Sequence, residues 1–223
     1  MCGRFSLTTT EKQFILSRFE LDEIKIKLEP RYNIAPSQMI PVIRNDYPHE
    51  LNEAKWGLIP HWAKDETNAY KMINARSETI SEKPAYREAF KRHRCLIIAD
   101  SFYEWNKKGG LKTPYRIMLK NEDVFAFAGI FDIWHDTISC SIATTEPNKL
   151  MEKIHIRMPV ILQKKDEKRW LESEPEEALK LLKPYDVNKM KMYEVSSQIN
   201  SPANDFKGLI EPVNKSTLAE FMG

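Results

Sequence analysis

Cys95-Leu96-Ile97-Ile98-Ala99-Asp100-Ser101-Phe102-Tyr103-Glu104-Trp105 is the stretch on which the fold turns. Its first five residues form an unbroken apolar run of the kind found in strands buried on both faces. Beyond Asp100-Ser101 the pattern alternates. The two-residue period of a strand sends Phe102 and Glu104 one way, Tyr103 and Trp105 the other. Further strands are expected over residues 115–119, 124–130 and 137–144. Lys107-Lys108-Gly109-Gly110, Asn121-Glu122-Asp123 and His135-Asp136 supply the turns between them. Such a succession predicts an antiparallel sheet, bent or partly closed.

Towards the N-terminus, Thr8 and Glu11 form a capping-box pattern ahead of a helix over 9–19, with Phe14, Ile15 and Phe19 on one face. Pro30 and Pro36 bracket a segment that cannot be a central strand or a helix. Residues 39–44 read as an edge strand containing Pro41, and 53–58 as its partner across Asn45-Asp46. Pro84 suits the first turn of a short helix reaching Phe90. Towards the C-terminus the pattern predicts a helix over 147–153, a strand over 160–162 and helices over 166–171 and 175–182. A strand over 190–195 and a short terminal helix complete the chain. No βαβ rhythm and no linker composition appear. The fold class is therefore α+β: a bent or barrel-like, mostly antiparallel β core with peripheral helices, in one domain spanning 1–223.

The totals narrow the function classes. Of 223 residues 30% are charged and 42% hydrophobic, with a formal net charge of +2, which permits a nucleic-acid partner without requiring one. The three cysteines, Cys2, Cys95 and Cys140, are odd in number and far apart, so neither a disulfide framework nor a paired-cysteine zinc motif is expected. No apolar run approaches the ~18 residues of a membrane span, and no signal peptide is legible. A cytoplasmic protein follows. His49, His61, His93 and His135 lack ligand spacing, so no metal and no cofactor are expected.

Reactive chemistry is concentrated at Met1-Cys2-Gly3-Arg4. Excision of Met1 would leave an α-amine and a thiol on one residue, titrating in water near ~8 and ~8.5. Such a 1,2-aminothiol condenses with an aldehyde, first as an imine at nitrogen and then as a thiazolidine closed by sulfur. Elsewhere, Asn74 and Arg76 are either a functional pair or a loop asparagine and a surface arginine. Glu104 is either a general acid–base or half of a structural ion pair. His155 and Arg157 flank Ile156 as a turn residue and an anion binder by chemistry.

Taken together, Met1-Cys2-Gly3-Arg4, 31–36, 56–62, 74–79, 102–105, 127–129 and 155–160 resemble, in order, the SOS response-associated peptidase family of abasic-site processing proteins. The resemblance runs from residue 2 to about 212. It implies an intracellular monomer whose partner is single-stranded DNA containing abasic sites, captured covalently by Cys2. It also implies Glu104 for sensing or proton transfer, His155 for stabilising the opened sugar and Asn74 for positioning it. Arg4, Arg76 and Arg157 would hold phosphates, while Asn33, Pro36 and Trp62 would contribute to the DNA face. Lyase and autopeptidase activities are minor implications. Ser101 and Ala63 depart from residues common in the family. Two rivals remain at this point: an N-terminal-nucleophile amidohydrolase, which also begins Met-Cys-Gly, and a non-covalent single-strand binder.

Overall fold

Every residue of Arg94–Ala99 is buried, as the unbroken apolar run requires. The computed structural model of the chain describes residues 2–107, 112–121 and 123–213. In chain order its elements begin β1 (Phe5–Leu7), α1 (Lys12–Phe19), β2 (Glu23–Ile24), β3 (Arg31–Ile34), β4 (Met39–Arg44) and β5 (Tyr47–Trp56). They continue β6 (Asn74–Arg76), α2 (Arg87–Arg92), β7 (Arg94–Ala99), β8 (Ser101–Asn106), β9 (Thr113–Leu119), β10 (Phe125–Trp134) and β11 (Thr137–Thr145). The last are β12 (Met158–Pro159), α3 (Lys164–Glu172), α4 (Pro175–Leu179) and β13 (Met190–Glu194).

Neighbouring strands run β11-β10-β7-β4-β5, and β5 pairs back onto β11 in parallel at Ser139↔Lys55 and Cys140↔Trp56. That last pairing closes a five-stranded barrel, whose interior is the main hydrophobic core. A second sheet has the order β13-β9-β8-β1-β3. The chain crosses from barrel to second sheet at Asp100, between β7 and β8. The buried Asp100 carboxylate accepts bonds from Ser6 Oγ, Thr8 N and Thr8 Oγ1, with the Arg116 Nη2 3.7 Å away. It thereby fastens β1, the strand that leads out of Cys2, to the junction of the two sheets.

Gly129 explains why one strand of the barrel carries a residue without a side chain. A Cβ there would sit 2.7 Å from Cys95 Sγ and 2.8 Å from Ile97 Cδ1, so β10 can approach β7 only as glycine.

Local expectations fail where another partner competes for a polar group. Thr8 is taken by Asp100, so it does not cap α1; the N-cap is Glu11, whose carboxylate accepts from Gln13 N (3.2 Å) and Phe14 N (2.6 Å). The expected helix at 147–153 is a 3-10 turn, Met151–Lys153, entered through Asn148 Oδ1, which accepts from Leu150 N and Met151 N. The strand expected at 160–162 is a single bridge, Ile161 to Phe127, with β12 just before it. The helix after Pro84 starts at Arg87, and α4 stops at Leu179. Most of the Lys107–Gly110 turn and residues 214–223 lie outside the described residues, so part of the C-terminal helix expectation does too. None of the described helices is long and apolar enough to cross a membrane.

Candidate active site

β1 delivers Cys2 into the interior, where the residue has no exposed surface. Its carbonyl accepts a 2.8 Å bond from Asn74 Nδ2. Asn74 opens β6, which runs parallel to β11 with Asn74 opposite Ile142 and Arg76 opposite Thr144. The Tyr86 hydroxyl donates to the Asn74 carbonyl at 3.3 Å, fixing the start of that strand. Asn74 is 7% exposed, and its Oδ1 is buried with no hydrogen-bond partner among the described residues. A buried acceptor left open beside Cys2 is a place for a donor from a bound molecule.

Burial pushes the Cys2 thiol pKa up, and the negative charge of Glu104 pushes it in the same direction. A 3.8 Å contact from Sγ to the Arg4 carbonyl opposes both weakly. The thiol is therefore neutral at physiological pH, with the carboxylate close enough to act on it. Glu104 lies on β8 and is 4% exposed. The aromatic-flanked carboxylate of the sequence is thus brought to the N-terminal cysteine.

Arg4 is more enclosed than a surface phosphate ligand would be. Its Nη1 donates to Asn33 Oδ1 (2.7 Å) and to the Ile199 carbonyl (2.8 Å), and its guanidinium lies 5.9 Å from the Trp105 ring centre. Burial lowers its pKa, and its buried Nε has no partner among the described residues. Asn33 is 1% exposed; its Nδ2 donates to the carbonyls of Ser201 (2.9 Å) and Asn204 (2.7 Å). The pair ties the first strand to the C-terminal segment.

On the other flank β12 pairs with β11 at Thr144↔Pro159, which brings Arg157 beside Thr144 opposite the exposed Arg76. Arg157 Nη1 and Nη2 each donate to a Glu78 oxygen at 2.9 Å. Nη2 also donates to the Thr144 carbonyl (2.6 Å), and Nε to Thr144 Oγ1 (3.3 Å). The Arg157 guanidinium holds the Glu78 carboxyl below the usual carboxylate range. His155 is half-buried, and its Nδ1 accepts from the Arg157 backbone N–H at 3.1 Å.

Trp62 is 58% exposed and borders a cleft of about 330 Å³ with Leu58, Lys64 and Met72. Its turn is gripped on both sides by the end of β10. His61 N and Nδ1 contact Asp132 Oδ2 at 2.9 and 3.0 Å, and Trp134 Nε1 donates to the Ala63 carbonyl at 2.8 Å. Pro36 is half-buried, beside Ser37 at φ 70°. Met72, which lines the cleft, lies two residues before Asn74 in the chain. Sequence reasoning missed Glu78, Thr144, Asp132 and Trp134; Glu78 lies within the 74–79 island, but its partner is distant in the chain. Among the described residues no group of His, Cys, Asp or Glu side chains could hold a metal ion.

The chain as a whole is similar to known proteins. The model of a family described as SOS response associated peptidase matches residues 1–202. Abasic site processing protein YoqW of Bacillus subtilis is 48% identical over 223 residues, covering 95% of this chain and 99% of its own. Abasic site processing protein HMCES of Xenopus tropicalis is 30% identical, over 80% of this chain and 65% of its own length. A crystal structure of a Bacteroides thetaiotaomicron protein superposes with a TM-score of 0.86 at 30% identity, covering 96% of this chain and all of that one.

Proposed function

The chain belongs to the SOS response associated peptidase family, and on that premise we propose that it processes abasic sites in single-stranded DNA by covalent capture on Cys2. The observation that carries this reading is the Asn74–Cys2 hydrogen bond, which fixes the second residue of the chain beside the Glu104 carboxylate. Relatives named for abasic-site processing support the same substrate.

Residue 2 becomes bifunctional when Met1 is removed. The free Cys2 amine attacks C1′ of the ring-opened deoxyribose, and the carbinolamine loses its hydroxyl as water to give an iminium. Cys2 Sγ then gives up its proton and adds to C1′, closing the thiazolidine. The balance is protein plus DNA minus one water. The order follows from electrostatics: a thiol kept neutral by burial and a neighbouring carboxylate is not the first nucleophile. A positive iminium beside it reverses that bias, and Glu104 is positioned to take the proton. The open Oδ1 of Asn74 would accept from a hydroxyl of the opened sugar, and His155 would stabilise that sugar. Arg76 and Arg157 receive flanking phosphates, and Trp62 a base. The iminium stage also allows β-elimination, so a minor lyase activity accompanies capture, and Met1 loss is the only proteolysis required.

The test is intact mass spectrometry of Met1-free protein incubated with an abasic oligonucleotide. A denaturation-stable adduct at the mass of protein plus DNA minus one water is expected, and it is lost in Cys2→Ala. Wild-type protein that forms no adduct but hydrolyses glutamine would establish the amidohydrolase reading instead. Tight binding of intact and abasic strands alike, without any adduct, would leave a non-covalent binder.

A further inference from the structure

Arginine has five N–H donors, and in this structure Arg157 spends four of them inside the protein: two on Glu78, two on Thr144. One hydrogen, on Nη1, remains. Bidentate recognition of a phosphate needs two parallel donors, so Arg157 cannot grip a phosphate that way while Glu78 is in place. The two Glu78 oxygens occupy the guanidinium edge as two phosphate oxygens would. The partners are also unequal in exposure: the Glu78 side chain is 52% exposed and that of Arg157 12%. The carboxylate can therefore swing into water while the guanidinium stays anchored through Thr144.

We infer that Glu78 is an internal competitor of DNA phosphate at Arg157, setting how tightly the strand is held. This rests on the reading of Arg157 as a phosphate contact. With Glu78 present the pair is electrically neutral, and a phosphate arriving there releases little counterion. Without its charge, Arg157 becomes a free cation facing the strand. The device makes binding weak until another contact, such as the bond at Cys2, holds the DNA in place. Intact strands are thus released and abasic ones retained.

The discriminating measurement is the affinity of the protein for an intact single-stranded oligonucleotide, by fluorescence anisotropy across a series of KCl concentrations. Glu78→Gln is expected to tighten binding several-fold at low salt and to steepen the log–log salt dependence by roughly 0.7, one added single-strand phosphate contact. Removing any acid near DNA would raise affinity somewhat, so the same substitution is made in an Arg157→Ala background, where only that smaller general gain should remain, without the added slope. Weaker binding by Glu78→Gln, an unchanged slope, or an equal gain in the Arg157→Ala background overturns the inference. Adduct formation on an abasic strand is measured in parallel. Its loss in wild-type protein would sink the covalent reading, whereas normal capture with an unchanged slope would sink only the competitor role.

Discussion

Burial and the neighbouring Glu104 charge together hold the Cys2 thiol neutral. The thiol pKa lies above that of free cysteine because burial disfavours the thiolate and the Glu104 charge adds to that cost. Raising the pKa favours the neutral thiol at every pH below it, so native protein near pH 7 should resist iodoacetamide until unfolded. Glu104→Gln removes the charge that raises the thiol and the proposed base for its proton, two effects of opposite sign. The second dominates because ring closure needs proton transfer at the moment sulfur attacks. Closure should slow by about 10²–10⁴-fold, the usual span for a lost general base, while the imine remains trappable by borohydride. Stopped time courses of stable against reductively trapped adduct separate the two steps. Unchanged closure in Glu104→Gln would remove the carboxylate from the mechanism. The face of Glu104 was legible from strand alternation, but its nearness to residue 2 was not, since β1 and β8 pair across almost a hundred residues of chain.

Among the elements, β10 carries two separate constraints. Its middle must pass β7 without a side chain at Gly129, and its end must hold the Trp62 turn through Asp132 and Trp134. Gly129→Ala would drive a methyl against Cys95 Sγ and Ile97 in a barrel with no slack. Overpacking of that kind costs about 1–3 kcal/mol, which for a chain of this size lowers Tm by roughly 2–12 °C. Differential scanning calorimetry checks this, and adding Cys95→Ala should recover only part of the loss because Ile97 also obstructs. A Tm within a degree of wild type would show that the strands separate freely. Element positions were legible wherever periodicity was strong: β7, β8, β9 and β11 fall close to the spans read from apolar pattern alone. Element ends were misread where a distant group captured a local cap, as Asp100 does with Thr8. The closure of the barrel left no local mark either. It depends on two parallel residue pairs between β5 and β11, and nothing in either strand's own sequence specifies that contact.

On the scale of the whole molecule, the first strand and the C-terminal segment are held by one another. Tyr103, Val195, Ile199 and Leu209 form a small core apart from the barrel, with Tyr32, Trp105, Tyr193 and Ile210 packed around it. Asn33 and Arg4 join that core to the strand bearing Cys2, since Arg4 bonds both Asn33 and the Ile199 carbonyl. The family resemblance reads both residues as contacts to DNA. Their burial and bond partners give them a prior task, to keep the segment around 199–204 pressed against β3 and β1. If Arg4 acts on a phosphate it does so chiefly through the field of a buried cation, since its Nη1 is already bonded to Asn33 and the Ile199 carbonyl. Asn33→Ala leaves the carbonyls of Ser201 and Asn204 without their donor and removes one acceptor from a buried guanidinium. Each unsatisfied buried group costs about 1–3 kcal/mol, so the variant should melt several degrees lower, with hydrogen exchange rising first around residues 199–204. Capture of abasic DNA should fall with it, because a loosened Arg4 frees the strand that presents Cys2. Asn33→Asp makes the distinction between the two tasks. The carboxylate keeps an acceptor for Arg4 but loses the donor to the C-terminal carbonyls. If Asn33 served only as a DNA contact, both variants would melt like wild type and differ in affinity alone. If it is the tie described, both open the 199–204 segment, and Asn33→Asp retains more of the order at Arg4.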